Sequence, residues 1–164
     1  MTLQIDSVDT STQSATALYQ LGCFAFDEYG REYMYLRSEG GSTAGYINTI
    51  TTDGNFDATL ATTTTCGTPG THFKLLAVPN CDVTDEYCAW YWIGCGTYEV
   101  ALEAAFTAAD VVYTTAAAGV IGADSTSFQI EGLKVIDDGH ATDVTRKTVW
   151  AADRLTVGRV EAHD

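Results

Sequence analysis

A chain of 164 residues, 46% hydrophobic and only 18% charged, holds enough apolar material for one packed domain, or one domain with an arm, and excludes disorder as its general state. Its 22 acidic residues against 8 basic ones give a net charge of −14, which leaves no basic stripe and disfavours direct binding to a phosphate backbone. Abundant Thr, Val, Tyr and Gly with two prolines favour strands, so the expected class is mostly β: a single β-sandwich or barrel-like domain of antiparallel hairpins with an extended N-terminal arm.

Residues 1–17 form the arm in this reading, and 18–164 the β-rich domain. The arm is polar with scattered apolar residues, and its first residues have neither a basic start nor an apolar core segment, so a cleaved export signal is not expected. An arm of this kind either grips a neighbouring subunit or frays. No run is long enough to span a membrane.

Residues 21–27 and 31–37 alternate around a turn at Glu28-Tyr29-Gly30 and predict a hairpin. Tyr33 and Tyr35 share one face of its second strand with Arg31 and Arg37, while Met34 and Leu36 share the other. The tyrosine and arginine face is expected to point outwards, as a protein contact or as plain cross-strand aromatic packing. Residues 44–52 make a strand ending at Asp53-Gly54, with 56–60 pairing back; 61–71 is a threonine-rich loop, and 72–78 resumes as a strand.

Residues 86–121 organise the chain. Tyr87, Ala89, Tyr91 and Ile93 alternate with Cys88, Trp90 and Trp92, so both faces of this strand need cover. Gly94-Cys95-Gly96 is read as a turn, after which Tyr98, Val100 and Leu102 return as the second strand of a hairpin. Short strands follow at 111–113 and 120–121, then 127–136. The last hairpin, 147–151 with 155–160, breaks at Ala152-Asp153 and gathers Arg146, Lys147, Arg154 and Arg159, which marks it as a candidate subunit contact. A faint internal echo links Thr43-Ala44-Gly45-Tyr46-Ile47 to Thr107-Ala108-Ala109-Asp110-Val111-Val112, each a small-residue turn before an apolar strand.

Five cysteines, Cys23, Cys66, Cys81, Cys88 and Cys95, are expected as reduced thiols. The last three recur every seven residues, but Cys88 lies beside two tryptophans and no Cys-x-x-Cys pair or nearby His completes a zinc set, so no metal or cofactor is expected. His72, His140 and His163 stand far apart, and no nucleophile elbow or nucleotide loop is present. The turns at 53–57 and 137–140 bring carboxylates together without the ligand count of a calcium loop. The chain therefore reads as a non-enzyme.

Glu86-Tyr87, Trp90, Gly94, Tyr98-Glu99-Val100, Val111-Val112-Tyr113-Thr114-Thr115 and Ala118-Gly119-Val120-Ile121, with Leu21-Gly22 and Gly30-Arg31-Glu32-Tyr33-Met34-Tyr35 earlier, resemble the strand pattern of capsid decoration, or cement, proteins of tailed bacteriophages. The resemblance covers residues 18–136, and departs at Cys88-Ala89 and around His72. It implies a virion structural protein, made in the host cytoplasm and bound to the outer surface of the major capsid protein lattice. Self-association as a trimer or dimer is implied on such a lattice. The contact surfaces would be the arm, Arg31, Tyr33, Tyr35 and Arg37, and the basic group Arg146, Lys147, Arg154 and Arg159. The alternative is a phage fibre or carbohydrate-binding β module with Trp90, Tyr91 and Trp92 as a sugar platform.

Overall fold

The computed structural model describes residues 8–51, 54–62, 65–66, 74–103, 112–115, 117–122, 128–136 and 145–157. They form ten strands and, among the described residues, no helix: β1 (Phe24–Phe26), β2 (Glu32–Ser38), β3 (Asn48–Ile50), β4 (Asp57–Leu60), β5 (Leu76–Pro79), β6 (Cys88–Leu102), β7 (Val112–Thr114), β8 (Ile121–Gly122), β9 (Gln129–Val135) and β10 (Thr145–Val157). The mostly-β expectation holds. All ten belong to one mixed sheet, because two of its pairings, β2–β4 and β6–β8, are parallel.

The sheet closes on itself twice. β2, β4, β3, β5 and β6 pair in a ring that returns to β2, and β6, β10, β9, β7 and β8 pair in a second ring that returns to β6. Each ring therefore owns five strands, and β6 belongs to both. Numbering each ring's strands by sequence gives the same circuit twice: first beside third in parallel, then third beside second, second beside fourth, fourth beside fifth and fifth beside first, all antiparallel. The sequence echo leads into the second strand of each ring, β3 and β7, and the unit repeated in the fold is the whole ring rather than one strand and its turn. Closure leaves no free edge within either ring, and β1, paired only with β2, is a short edge strand; free edges otherwise invite pairing with other chains.

β6 serves two rings by bending. Gly94, Cys95 and Gly96 all have positive φ, at 150°, 58° and 84°, a conformation cheap for glycine and costly for cysteine. Upstream, β6 pairs with β2 and β5; downstream, with β10 and β8. The hairpin expected across Gly94-Cys95-Gly96 is thus a single 15-residue strand with a bend. The last hairpin is likewise one strand, β10, with a register shift against β6 between Ala151 and Arg154. The two irregularities face each other, Gly96 opposite Ala151 and Gly94 opposite Arg154. A bend in one strand keeps its ladder only if the neighbour yields at the same level.

Two cores result. The smaller fills the first ring with Met34 and Leu36 of β2, Ile50 of β3, Ala58 of β4, Ala77 of β5, and Ala89, Tyr91 and Ile93 of β6. The larger fills the second ring with Val100, Leu102, Val112, Ile121, Ile130 and Val149 among others, and continues over Tyr33, Tyr35, Leu76, Val78, Trp90 and Trp92 on the outside of the first. One continuous core spanning both rings makes this a single packed body. Of the arm, residues 8–17 lie along the domain: Ser14 and Cys88 exchange backbone hydrogen bonds, both 2.9 Å, and the Gln13 side chain accepts from the Thr84 amide.

Candidate functional site

Tyr33 and Tyr35 do not face outwards. They are 1% and 2% exposed, because their face of β2 is covered by the larger core and by residues 18–22. Tyr19 packs edge-on against Tyr35 with centroids 5.2 Å apart, and the Leu18 amide donates to the Tyr35 hydroxyl. Met34 and Leu36 fill the smaller core on the other side. Burial pushes the Tyr33 phenol well above its ordinary range. β2 therefore offers no open tyrosine face.

Three of the arginines read as contact residues are engaged within the chain. Arg31 Nε donates to Asp27 at 2.6 Å, Arg37 holds Asp57 with two bonds at 2.7 and 3.1 Å and lies near Glu86, and Arg154 donates through Nε and Nη2 to both oxygens of the buried Glu32. The last pair ties β2 of the first ring to β10 of the second, with the Arg154 guanidinium also 4.5 Å from the Phe24 ring. Arg146 is exposed on β10. Lys147 lies on the same strand opposite Val100, its side chain beyond the described residues, as is Arg159. Sequence order grouped Arg154 with Arg146 and Lys147; in the fold Arg154 turns to Glu32 of β2, while Arg146 stays exposed.

Trp90, Tyr91 and Trp92 are buried, so they form no sugar platform. Cys88 packs in the larger core with Trp90 and Trp92 as expected. All five cysteines are free thiols, and among the described residues no group of His, Cys, Asp and Glu converges as metal ligands. The histidines and the turn at 137–140 lie outside the described residues, as does Asp53. Asp57 of the other acidic turn is held by Arg37 instead.

Among the described residues, a groove runs across the bend of β6. Tyr29, Arg31, Gly96, Thr97 and Trp150 line a hollow of about 380 Å³. It adjoins a second of about 290 Å³ lined by Arg31, Asn80, Thr97, Tyr98, Glu99 and Thr148. Arg31 and Thr97 belong to both. Tyr29 and Trp150 are 73% and 43% exposed, unusual for rings that normally bury most of their area. Asp27 fixes this end of the groove: its carboxylate accepts from the backbone amides of Tyr29 and Arg31 and from Arg31 Nε. The guanidinium so placed lies 5.1 Å from the Tyr29 ring and 5.8 Å from that of Tyr98.

The strand bend builds the rest. It folds Tyr98 back so that its ring stacks on Trp92 at 4.8 Å and 10°, and Trp92 Nε1 donates to the Cys95 carbonyl. The Tyr98 hydroxyl is buried with no hydrogen-bond partner, a costly state for a polar group. Burial raises its pKa far above the ordinary phenol value. Sequence reading missed Tyr29 as a turn residue and Trp150 as one strand residue among several. The signal for Trp150 was alternation: with Val149 and Ala151 inward, it points out. No family model, curated protein or solved structure matches this chain.

Proposed function

We propose that this chain is a virion structural protein, a capsid decoration or cement protein that binds the outer surface of the major capsid protein lattice of a tailed phage and stabilises the DNA-filled head. The observation that carries the reading is the place of the resembling segments: Trp90, Gly94 and Tyr98-Glu99-Val100 lie in the strand shared by both rings, with Glu86-Tyr87 leading into it, and Val112-Tyr113-Thr114 and Ile121 belong to the second ring beside it. The physical properties agree with such a role. Closed rings leave little strand edge to aggregate at high copy number, and a charge of −14 keeps free copies apart while favouring a basic patch on a partner. Each bound copy would stabilise the shell by mass action, so modest interfaces suffice, and a lattice favours a trimer or dimer.

With Tyr33 and Tyr35 buried and three arginines paired within the chain, contact with the capsid falls to exposed groups such as Leu18 and Arg146. Mass spectrometry of purified virions, with heat release of DNA from heads lacking the protein, tests the reading. The protein should sediment with full heads, and depleted heads should release DNA at lower temperature. Recovery only in tails or only in the host lysate overturns it.

A further inference from the structure

We propose that the groove over the bend of β6 is a binding site for a neutral saccharide, a short chain of hexose or N-acetylhexosamine units gripped between Tyr29 and Trp150 and along Thr97. The inference goes beyond the capsid reading and does not rest on it.

The groove has the two kinds of surface that a sugar presents. A pyranose has an apolar face of C–H groups and a rim of hydroxyls, and it is held by aromatic faces together with convergent donors and acceptors. Here two exposed aromatic rings come from separate elements, Tyr29 from the turn between β1 and β2 and Trp150 from β10, and they line one hollow. Polar groups of both kinds line the groove: the Arg31 guanidinium donates, the Glu99 carboxylate accepts, and Thr97 and Asn80 do either. Gly96 opens the space between them, since a Cβ there would stand 3.1 Å from Arg31 Cγ. The unpartnered hydroxyl of Tyr98 belongs to a residue lining the second hollow.

Charge narrows the ligand further. A net charge of −14 repels anions from the whole surface. Arg31, shared by both hollows, is paired with Asp27, so it offers an anion no free charge to offset that repulsion, and its guanidinium disfavours a cation at close range. A polar but uncharged ligand with apolar faces meets neither penalty. The site is also held ready, because Asp27 fixes the turn carrying Tyr29 through three hydrogen bonds and Trp150 sits in a paired strand opposite Thr97. Little ordering remains to oppose binding.

Ligand-observed saturation-transfer NMR and tryptophan fluorescence on the full chain, with maltose, cellobiose, lactose and chitobiose as probes, test the site. Trp90 and Trp92 are buried while Trp150 is exposed, so a ligand in the groove changes the accessible part of the emission. We expect at least one probe to bind with a Kd in or below the millimolar range. Trp150→Ala and Tyr29→Ala should each weaken it by about tenfold or more, and Ile136→Ala, an exposed apolar control on another surface, should leave it unchanged. Thr97→Arg, which fills the groove without removing an aromatic, should abolish binding in a chain whose melting temperature is preserved. The proposal is overturned if no probe shows transfer up to about 20 mM, if binding survives both aromatic replacements, or if a polyproline peptide binds with Trp150 dependence while the sugars do not. A protein found on virions that fails here overturns this inference alone.

Discussion

The first ring places Ser38, Asn48, Ala58 and Ala77 where the second places Leu102, Val112, Ile121 and Ile130. The correspondence follows from the ladders: Ser38 and Ile50 both pair with Ala58, and Asn48 with Ala77, as Leu102 and Thr114 both pair with Ile121, and Val112 with Ile130. One circuit is thus filled in two ways. In the first ring small residues let the strands close tightly, and a hydrogen-bonded set occupies part of the interior: Ser42 Oγ donates to Asn48 Oδ1 at 2.7 Å, Asn48 Nδ2 to the Tyr46 carbonyl at 2.9 Å, and the Tyr91 hydroxyl to Ser42 Oγ at 3.3 Å. The second ring is filled with aliphatic side chains, and its core spreads over the outside of the first. The topology tolerates either filling provided that polar groups inside are satisfied.

The largest effect is expected where the two rings join. A Cβ on Gly94 would lie 2.2 Å from the Asp153 carbonyl oxygen and 2.7 Å from Arg154 Cα, backbone atoms that cannot swing aside, and the φ of 150° disfavours any side chain. Gly94→Ala should cost about 3 kcal/mol or more, the range for strain at a special backbone position, and should lower the protection of β2 and β10 amides together in hydrogen exchange. Loss confined to one ring would show that the rings are less coupled than the shared strand implies.

Much of this was legible in the sequence, and what was not has a common cause. Alternation in 31–37 and 87–93 located β2 and the first half of β6, and the same alternation put Cys88 in the core with Trp90 and Trp92. The echo between 43–47 and 107–112 pointed to a repeated strand and turn, a smaller unit than the ring that repeats. Illegible were the events at 94–96 and 152–153: glycines and an Asp mark both turns and bulges, and only the partner strand decides which. Reading both as turns turned two long strands into two hairpins and hid the double closure. The same limit applies to the site. Tyr33 with Arg31 and Arg37 looked like an outer face because period two gives which residues share a side, not which side meets the second core. The groove joins residues 29–31, 96–99 and 148–150, which no local pattern brings together.

Exchanging fillings sharpens the comparison. Val112→Asn buries an amide in the aliphatic ring, where Val112 is wholly inaccessible, and should cost about 3 kcal/mol by the scale for unpaired buried polar groups. Asn48→Val removes the acceptor of the Ser42 hydroxyl but leaves the small ring filled, and should cost about 1–2 kcal/mol. Urea denaturation of both variants checks the order; equal costs would mean that the hydrogen-bonded set and the aliphatic filling are interchangeable. Between the rings, Arg154→Met removes the partner of Glu32. The arginine side chain is 41% exposed and the glutamate 7%, so screening reduces the effect and about 1–2 kcal/mol is expected. Glu32→Gln in the Arg154→Met background should recover part of it by removing the stranded charge.

The smallest effect separates the two interiors by pH. Burial pushes the Cys66 thiol, in the larger core, from an ordinary 9.0 up to about 11, and the Tyr91 phenol, in the smaller core, from 10.0 up to about 12. In both cases the fold favours the protonated form, so the unfolded chain gives up its proton first as pH rises. The stabilisation is complete below the unfolded value and is lost as pH climbs through the folded one: from 9.0 to about 11 for Cys66 and from 10.0 to about 12 for Tyr91. Other buried groups of the larger core, Cys23, Cys88, Tyr33 and Tyr98, are pushed the same way by burial, so thermal melts should decline above neutral pH, the thiols contributing first and the phenols later. Cys66→Ala should reduce the earlier part of the decline and leave the later part, while Tyr91→Phe should reduce the later part, at the cost of the bond to Ser42. If neither variant reduces the decline, Cys66 and Tyr91 do not carry it, and the remaining buried thiols and phenols, with repulsion within a chain of net charge −14, take their place as the cause.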